Sequence, residues 1–270
     1  MKTIALFILG LLLVCPGSPA AADANPLEDG FTQPPADARP WVYWFWLNGN
    51  ITREGITADL EAMKRVGIGG VLIMEVDQGA PVGPVDFMSS SWRELFQHVV
   101  AEARRLGLEV NMNNDAGWNG SGGPWIKPEQ SMQKVVWSET DVTGPRRFEE
   151  PLPQPPTVAG YYRDIVTLAF PAAGPYRIGN IQAKAAFQVG GAGPDNATPL
   201  PPDSVIPRGR IVDLTDQVDA AGRLRWEVPD GGWTVLRVGH TSTGVENAPA
   251  PATGRGLECD KLSREGIEAN

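Results

Sequence analysis

The sequence predicts an α/β protein: an incomplete (β/α)8 barrel of the TIM type with an inserted antiparallel β-sandwich module. Three observations carry that expectation. Apolar runs at 41–50, 69–76 and 108–112 alternate with segments of helical period, the order that builds a parallel sheet through crossover connections. From about Met132 the period changes to short alternating runs split by Gly and Pro, the pattern of antiparallel strands. A further strand end and helix start follow within 257–269.

Residues 1–24 read as an export signal. Lys2 makes the start positive, Ile4 to Val14 is an apolar run too short to span a bilayer, and small residues up to Ala24 fit a cleavage site. Val14 stands where a lipoprotein signal needs Gly or Ala ahead of its cysteine, so Cys15 is not expected to carry lipid. The mature chain would keep Cys259 alone, which leaves stability to packing. Export without a disulfide suits a bacterial periplasm or secretion. No other stretch is apolar and long enough for a membrane span. Asn196-Ala197-Thr198 matches a glycosylation acceptor and reads as chance in a bacterial chain.

Residues 25–131 read as the first βα units of the barrel. After a Pro-rich lead, WVYWFWLNGN at Trp41 to Asn50 reads as a buried strand. Thr52 can cap the helix that follows, with Ile56, Leu60, Met63 and Val66 on one face and Gly67 as its stop. Gly69 to Val76 is apolar without alternation, as in a strand covered on both faces. Beyond a loop at 77–90, Ser91 and Glu94 read as a capping box. Leu95, Val99, Ala103 and Leu106 form the inward stripe of that helix, Gly107 closes it, and Leu108 to Met112 is the third strand.

Residues 132–247 read as the inserted module, with Asp230-Gly231-Gly232 as a hairpin turn, and residues 248–270 as the start of the next βα unit. Eight strands close such a barrel and about four are legible, so the chain reads as an N-terminal piece with open sheet edges.

The formal net charge of -9 argues against nucleic acid or an anionic membrane as partner. Nine Trp against four Tyr point first to buried aromatics and second to a sugar-stacking surface. In a β/α barrel the working groups lie at the C-terminal ends of the strands. Those positions hold Asn48-Gly49-Asn50, Glu75-Val76-Asp77-Gln78, Asn113-Asn114-Asp115 running into Trp118-Asn119, and Glu258-Cys259-Asp260-Lys261. Carboxamides and carboxylates hold sugar hydroxyls, and an aromatic ring covers the apolar face of a sugar. Each also has a plainer reading: a turn at Asn48 to Asn50, a local cap at Asp115, core positions for Trp118 and Trp125. Glu75 is hard to explain by packing. Cys259 reads as a small buried residue, and His98 and His240 as structural, with no metal-ligand spacing between them. A glycosidase needs two carboxyl groups; Glu75, Asp115, Glu258 and Asp260 are the candidates, and the residues alone do not assign them.

Three long segments resemble glycoside hydrolase family 106, the bacterial α-L-rhamnosidases. They are WVYWFWLNGNITREGITADLEAMKRVGIGGVLIMEV from Trp41, NNDAGWNGSGGPWI from Asn113, and PATGRGLECDKLS from Pro251. Phe45 stands where many relatives are expected to carry His. The resemblance implies a (β/α)8 catalytic barrel with β-sandwich modules in a much longer chain. It also implies hydrolysis of terminal α-L-rhamnosyl residues from plant polysaccharides or glycosides, by an inverting mechanism often linked to calcium. The catalytic acid and base are then expected beyond residue 270. Asn48, Glu75, Asn113, Asp115, Trp118, Glu258 and Asp260 become the expected substrate-binding residues, and the ligand a rhamnose-containing glycan or glycoside. The competing expectation is a non-catalytic carbohydrate-binding protein or a decayed gene product. Oligomeric state is open.

Overall fold

The computed structural model describes residues 26–174 and 201–270. The expected export signal and the Asn196 acceptor lie outside the described residues. The chain combines two sheets, one parallel with helices on one face, the other antiparallel.

Helix α1 (Pro26–Thr32) and a single 3-10 turn lead into β1 (Trp41–Leu47). Then come α2 (Arg53–Arg65), β2 (Gly70–Val76), α3 (Ser90–Leu106) and β3 (Glu109–Ala116). The three strands pair in parallel in the order β1-β2-β3. Helices α2 and α3 bury one face of this sheet. Trp44, Trp46, Val71 and Ile73 pack there against Ile56, Leu60, Trp92, Val99 and Ala103. Side chains alternate along a strand, so the opposite face carries Tyr43, Phe45 and Leu47, and these are exposed. The first strand is therefore fully covered on one face only; on the other, Trp118 meets Phe45 while Tyr43, Phe45 and Leu47 stay exposed.

Two helix expectations need correction. Val66 caps the end of α2 and is 75% exposed, since the apolar stripe runs out one turn earlier at Met63. Helix α3 is capped by Ser89, whose hydroxyl accepts from the Trp92 amide, so the Ser91–Glu94 box does not form. Of three consecutive serines, the first has the extended backbone that a cap needs. Thr52 caps α2 as expected, accepting from the Gly55 amide at 3.0 Å.

The antiparallel sheet comprises β4 (Gln133–Pro151), β5 (Arg163–Pro171), β6 (Val212–Asp213) and β7 (Arg223–Ser242), in the order β4-β7-β5-β6. Asp230-Gly231-Gly232 is not a hairpin turn. It lies inside β7, which pairs with β4 along its whole length, with a register shift between Gly144 and Arg146. The glycine serves close approach there: a Cβ on Gly144 would collide with the Pro229 carbonyl. The ribbon folds at this point, so that Trp226 from one limb meets Trp233 from the other at 5.4 Å. Phe148, Leu224 and Val228 then share a core with Val142, Val235, Ala169 and Leu214. Among the described residues the expected sandwich is thus one bent sheet packed on itself.

After β7 the chain returns to the parallel sheet. The expected fourth strand end is a pair of isolated bridges, Glu246 to Leu257 and Ser131 to Cys259, followed by α4 (Arg264–Ala269), capped by Ser263. Three parallel strands are described, short of the eight that close a barrel. No described helix is long and apolar enough to cross a membrane.

Candidate functional site

The segment 244–260 lies across the C-terminal ends of β2 and β3. Trp118 N donates to Ala248 O at 2.9 Å, Asp77 N to Pro249 O at 3.4 Å, and Met132 N to Glu258 O at 3.1 Å. This contact brings two carboxylates far apart in sequence to one rim.

Asp115, at the end of β3, is buried. Its Oδ1 accepts from Asn113 Nδ2 at 2.7 Å and from the Gly120 amide at 3.0 Å, while Oδ2 has no hydrogen-bond partner. Burial pushes its carboxyl up to about 6; the Gly120 amide opposes the shift and the nearby Glu258 charge adds to it. The loop must reverse directly after Ala116. Gly117 makes the reversal at φ +100, where a Cβ would meet the Ala248 carbonyl. Glu258 is also buried. Asn119 Nδ2 donates to its Oε1, and Lys261 Nζ lies 3.9 Å from its Oε2. Beside the pair, Trp118 is 47% exposed and meets Phe45 edge-on at 5.6 Å, and Phe45 in turn stacks on Tyr43 at 6.0 Å. Asn113, Asp115, Trp118 and Glu258 therefore form one cluster of carboxylates, a carboxamide and an aromatic wall.

Asn48, Glu75 and Asp260 make contacts of their own. Asn48 Nδ2 donates to Ala80 O at 2.7 Å and pins the loop after β2. Glu75 has the strand parity of Val71 and Ile73, so its side chain enters the helix-side layer. There Trp92 Nε1 donates to its Oε2 at 3.0 Å, and Oε1 has no partner. Burial pushes this carboxyl up to about 7, against the lowering pull of the Trp92 indole. Asp260 Oδ1 accepts from the Leu262 amide at 2.9 Å and shapes the turn into α4.

Two further side chains complete the rim: Asn119, which stands in the strand-end set after β3, and Asn247, which has no sequence signal. Asn247 is fully buried. Its Nδ2 donates to Ala116 O at 2.8 Å and Gly254 O at 2.9 Å, and its Oδ1 accepts from Gly256 N at 2.8 Å. Asn119 joins Glu258 to Ala248, whose amide donates to Asn119 Oδ1 at 3.0 Å. Both act between segments more than a hundred residues apart, which no local pattern reveals.

The rim does not by itself fit calcium. That ion takes six to eight oxygen donors, whereas no group of three or more His, Cys, Asp or Glu among the described residues could hold a metal. Asp115 and Glu258 are two carboxylates, and one of them faces an ammonium.

Comparison with known proteins adds three findings. A family model described as alpha-L-rhamnosidase matches residues 32–175 and 172–270. A protein of Formosa agariphila named "Putative beta-glucuronidase" is 43% identical over 269 residues, covering 97% of this chain and 23% of that protein. The solved structure of a rhamnosidase from Novosphingobium sp. PP1Y matches with a TM-score of 0.71 and 26% identity, over 90% of this chain and 37% of that one. The chain thus spans about a quarter of the curated relative and under two fifths of the structural one.

Proposed function

We propose a function from one premise: the chain belongs to glycoside hydrolase family 106. Membership and the rhamnosidase-like structure support a glycoside hydrolase. The finer reading is that the chain supplies part of the sugar-binding rim of an exported bacterial enzyme. That enzyme releases terminal α-L-rhamnosyl residues from plant polysaccharides or glycosides with inversion. The carrying observation is the cluster of Asp115, Glu258, Asn113 and Trp118 at the C-terminal end of a parallel sheet.

In this reading the parallel sheet continues into a (β/α)8 barrel, and the exposed Tyr43 and Phe45 become part of its interior. An inverting reaction needs a general acid at the leaving oxygen and a general base for water on the opposite face. Both would come from residues past position 270, and calcium, where the enzyme uses it, would take most of its ligands there too. Asp115 and Glu258 accept hydrogen bonds from sugar hydroxyls. Trp118 covers the apolar face of the ring, including the 6-methyl group of a deoxy sugar.

The name of the Formosa agariphila protein raises a second reading, release of a glucuronosyl group. A uronate brings its own carboxylate and needs a cation to receive it. Lys261 is drawn to Glu258, and Arg255 pairs with Asp77 at 3.6 Å, so the described rim favours a neutral sugar. Paired assays of the enzyme on an aryl α-L-rhamnoside and an aryl β-D-glucuronide decide between the readings. Release from the first alone is expected. Release from the second alone sinks the rhamnosyl assignment.

A further inference from the structure

We propose that Asn119 is a positioning residue, whose carboxamide holds Glu258 in the orientation that offers its second oxygen to a sugar hydroxyl. The proposal rests on reading this rim as a sugar site. It starts from what a carboxamide can do that no other side chain of its size can. One end accepts and the other donates. Ala248 N donates to Asn119 Oδ1 at 3.0 Å, which fixes the amide so that Nδ2 is the end facing Glu258. Nδ2 then donates to Glu258 Oε1. An aspartate here would still accept from Ala248 but would have nothing to give a carboxylate.

Without that donor, Glu258 has one charged neighbour drawing it away, the Lys261 ammonium on the exposed side at Oε2. Asn119 therefore decides which oxygen is engaged inside the protein and which one points out. Ala248 also receives the amide of Trp118 at 2.9 Å, so the aromatic wall and the carboxylate are set by the same backbone unit. Asn113 repeats the arrangement at the neighbouring acid. It donates through Nδ2 to Asp115 at 2.7 Å and to Gly117 O at 2.8 Å. Two carboxamide–carboxylate pairs thus stand side by side, one from within β3 and one across 139 positions of sequence.

The test uses calorimetric titration of the full chain with methyl α-L-rhamnoside, at pH 7.5 and pH 4.5. Asn119→Asp keeps the shape and sets two carboxylates together. Binding should weaken about 10- to 100-fold at pH 7.5, the range for a lost hydrogen bond to a charged group. It should recover most of that loss at pH 4.5, where the two carboxyl groups can share one proton. Each affinity is taken relative to the unmodified chain at the same pH, because the neighbouring Asp115 gains its proton between the two. A residue that only held the loop would give no acid recovery of that ratio. Thermal melts of Asn119→Asp, Glu258→Gln and the double variant supply a second readout, because the double variant restores a donor and an acceptor with their roles exchanged. Its melting temperature should return toward that of the unmodified chain, while binding of the rhamnoside stays weak. Equal affinity of Asn119→Asp and the unmodified chain at both pH values overturns the proposal. If the unmodified chain binds no rhamnoside, the sugar reading falls. In that case the melts still decide the pairing, and additive losses in the double variant overturn it as well.

Discussion

The parallel and antiparallel sheets of this chain solve the same burial problem in opposite ways. The bent antiparallel sheet packs Phe148, Leu224 and Trp226 against Val142 and Val235 and so makes its own core. The parallel sheet covers one face with α2 and α3 and leaves Tyr43, Phe45 and Leu47 open on the other. Their electrostatics differ too. Buried acids of the parallel layer, Glu75 and Asp115, have raised carboxyls. In the antiparallel sheet, Asp164 is held below the usual carboxylate range by the Arg237 guanidinium, which it meets at 2.7 Å and 2.8 Å. One region is built as a self-sufficient body, the other as a platform with a working edge.

The largest effect expected from that contrast comes from matched aromatic truncations. Phe148 is buried within the bent sheet, so Phe148→Ala should cost about 3–5 kcal/mol. Phe45, on the open face, is 46% exposed, and Phe45→Ala should stay within about 0.5 kcal/mol. Denaturant melts of the two variants measure both. Similar losses would mean that the open face is covered in solution.

The next effect separates the regions by pH. The Glu75 carboxyl sits at about 7 in the folded chain against an ordinary 4.5, so the folded state binds this proton more tightly than the unfolded one. The stability it contributes is present below pH 4.5 and is lost as pH rises through 7. The shift corresponds to roughly 3 kcal/mol. Asp115 acts in the same direction, through about 6. Asp164 has the opposite sign: its contribution is present above the unfolded carboxylate range and fades as pH falls. Glu75→Gln keeps an acceptor for Trp92 and removes the titration. Its stability relative to the unmodified chain should therefore improve by about 3 kcal/mol between pH 4.5 and pH 8.5. A flat difference across that range would show that Glu75 is hydrated.

What could be read in advance follows from how local each feature is. The βαβαβ order, the Thr52 cap and the switch to antiparallel strands are written in adjacent residues, and the strands and helices stand close to where periodicity puts them. The aromatic run Trp41 to Leu47 misleads, because an uninterrupted apolar strand looks the same whether its second face is covered or open. Asp230-Gly231-Gly232 misleads for a related reason: a glycine pair that permits a turn equally permits a sharp bend inside a paired strand. At the rim, strand-end position brought Asn113, Asp115, Trp118 and Glu258 into view. Strand parity then turned Glu75 toward α3, which depends on a register that sequence does not state. Asn119 stood in the strand-end set without its pairing to Glu258 in view, and Asn247 was invisible, since the groups they meet lie on other segments.

Asn247 is also where the contrast between the regions can be broken. It follows β7 and ties the returning chain to the Ala116 carbonyl at the end of β3. Asn247→Ala leaves three carbonyls, of Ala116, Gly122 and Gly254, and the Gly256 amide without their buried partner and should cost about 2 kcal/mol. More telling is the shape of the melt. With this tie removed, the two sheets should unfold in two steps, the parallel layer first. A single sharp transition in the variant would mean that the sheets are coupled through other contacts.

The smallest expected effect sharpens the same point, because it perturbs the parallel layer alone. Ser89 caps α3 through the Trp92 amide, and Trp92 is the residue that joins this helix to Glu75 and Trp46. Ser89→Ala should cost about 1 kcal/mol. Ser91 only meets the Ser89 hydroxyl at 3.0 Å, so Ser91→Ala should be nearly silent. In the Asn247→Ala background the loss from Ser89→Ala should appear wholly in the first of the two transitions, with the second unmoved. A shift of both would place α3 in one cooperative unit with the bent sheet, and the platform would then owe its order to the body beside it.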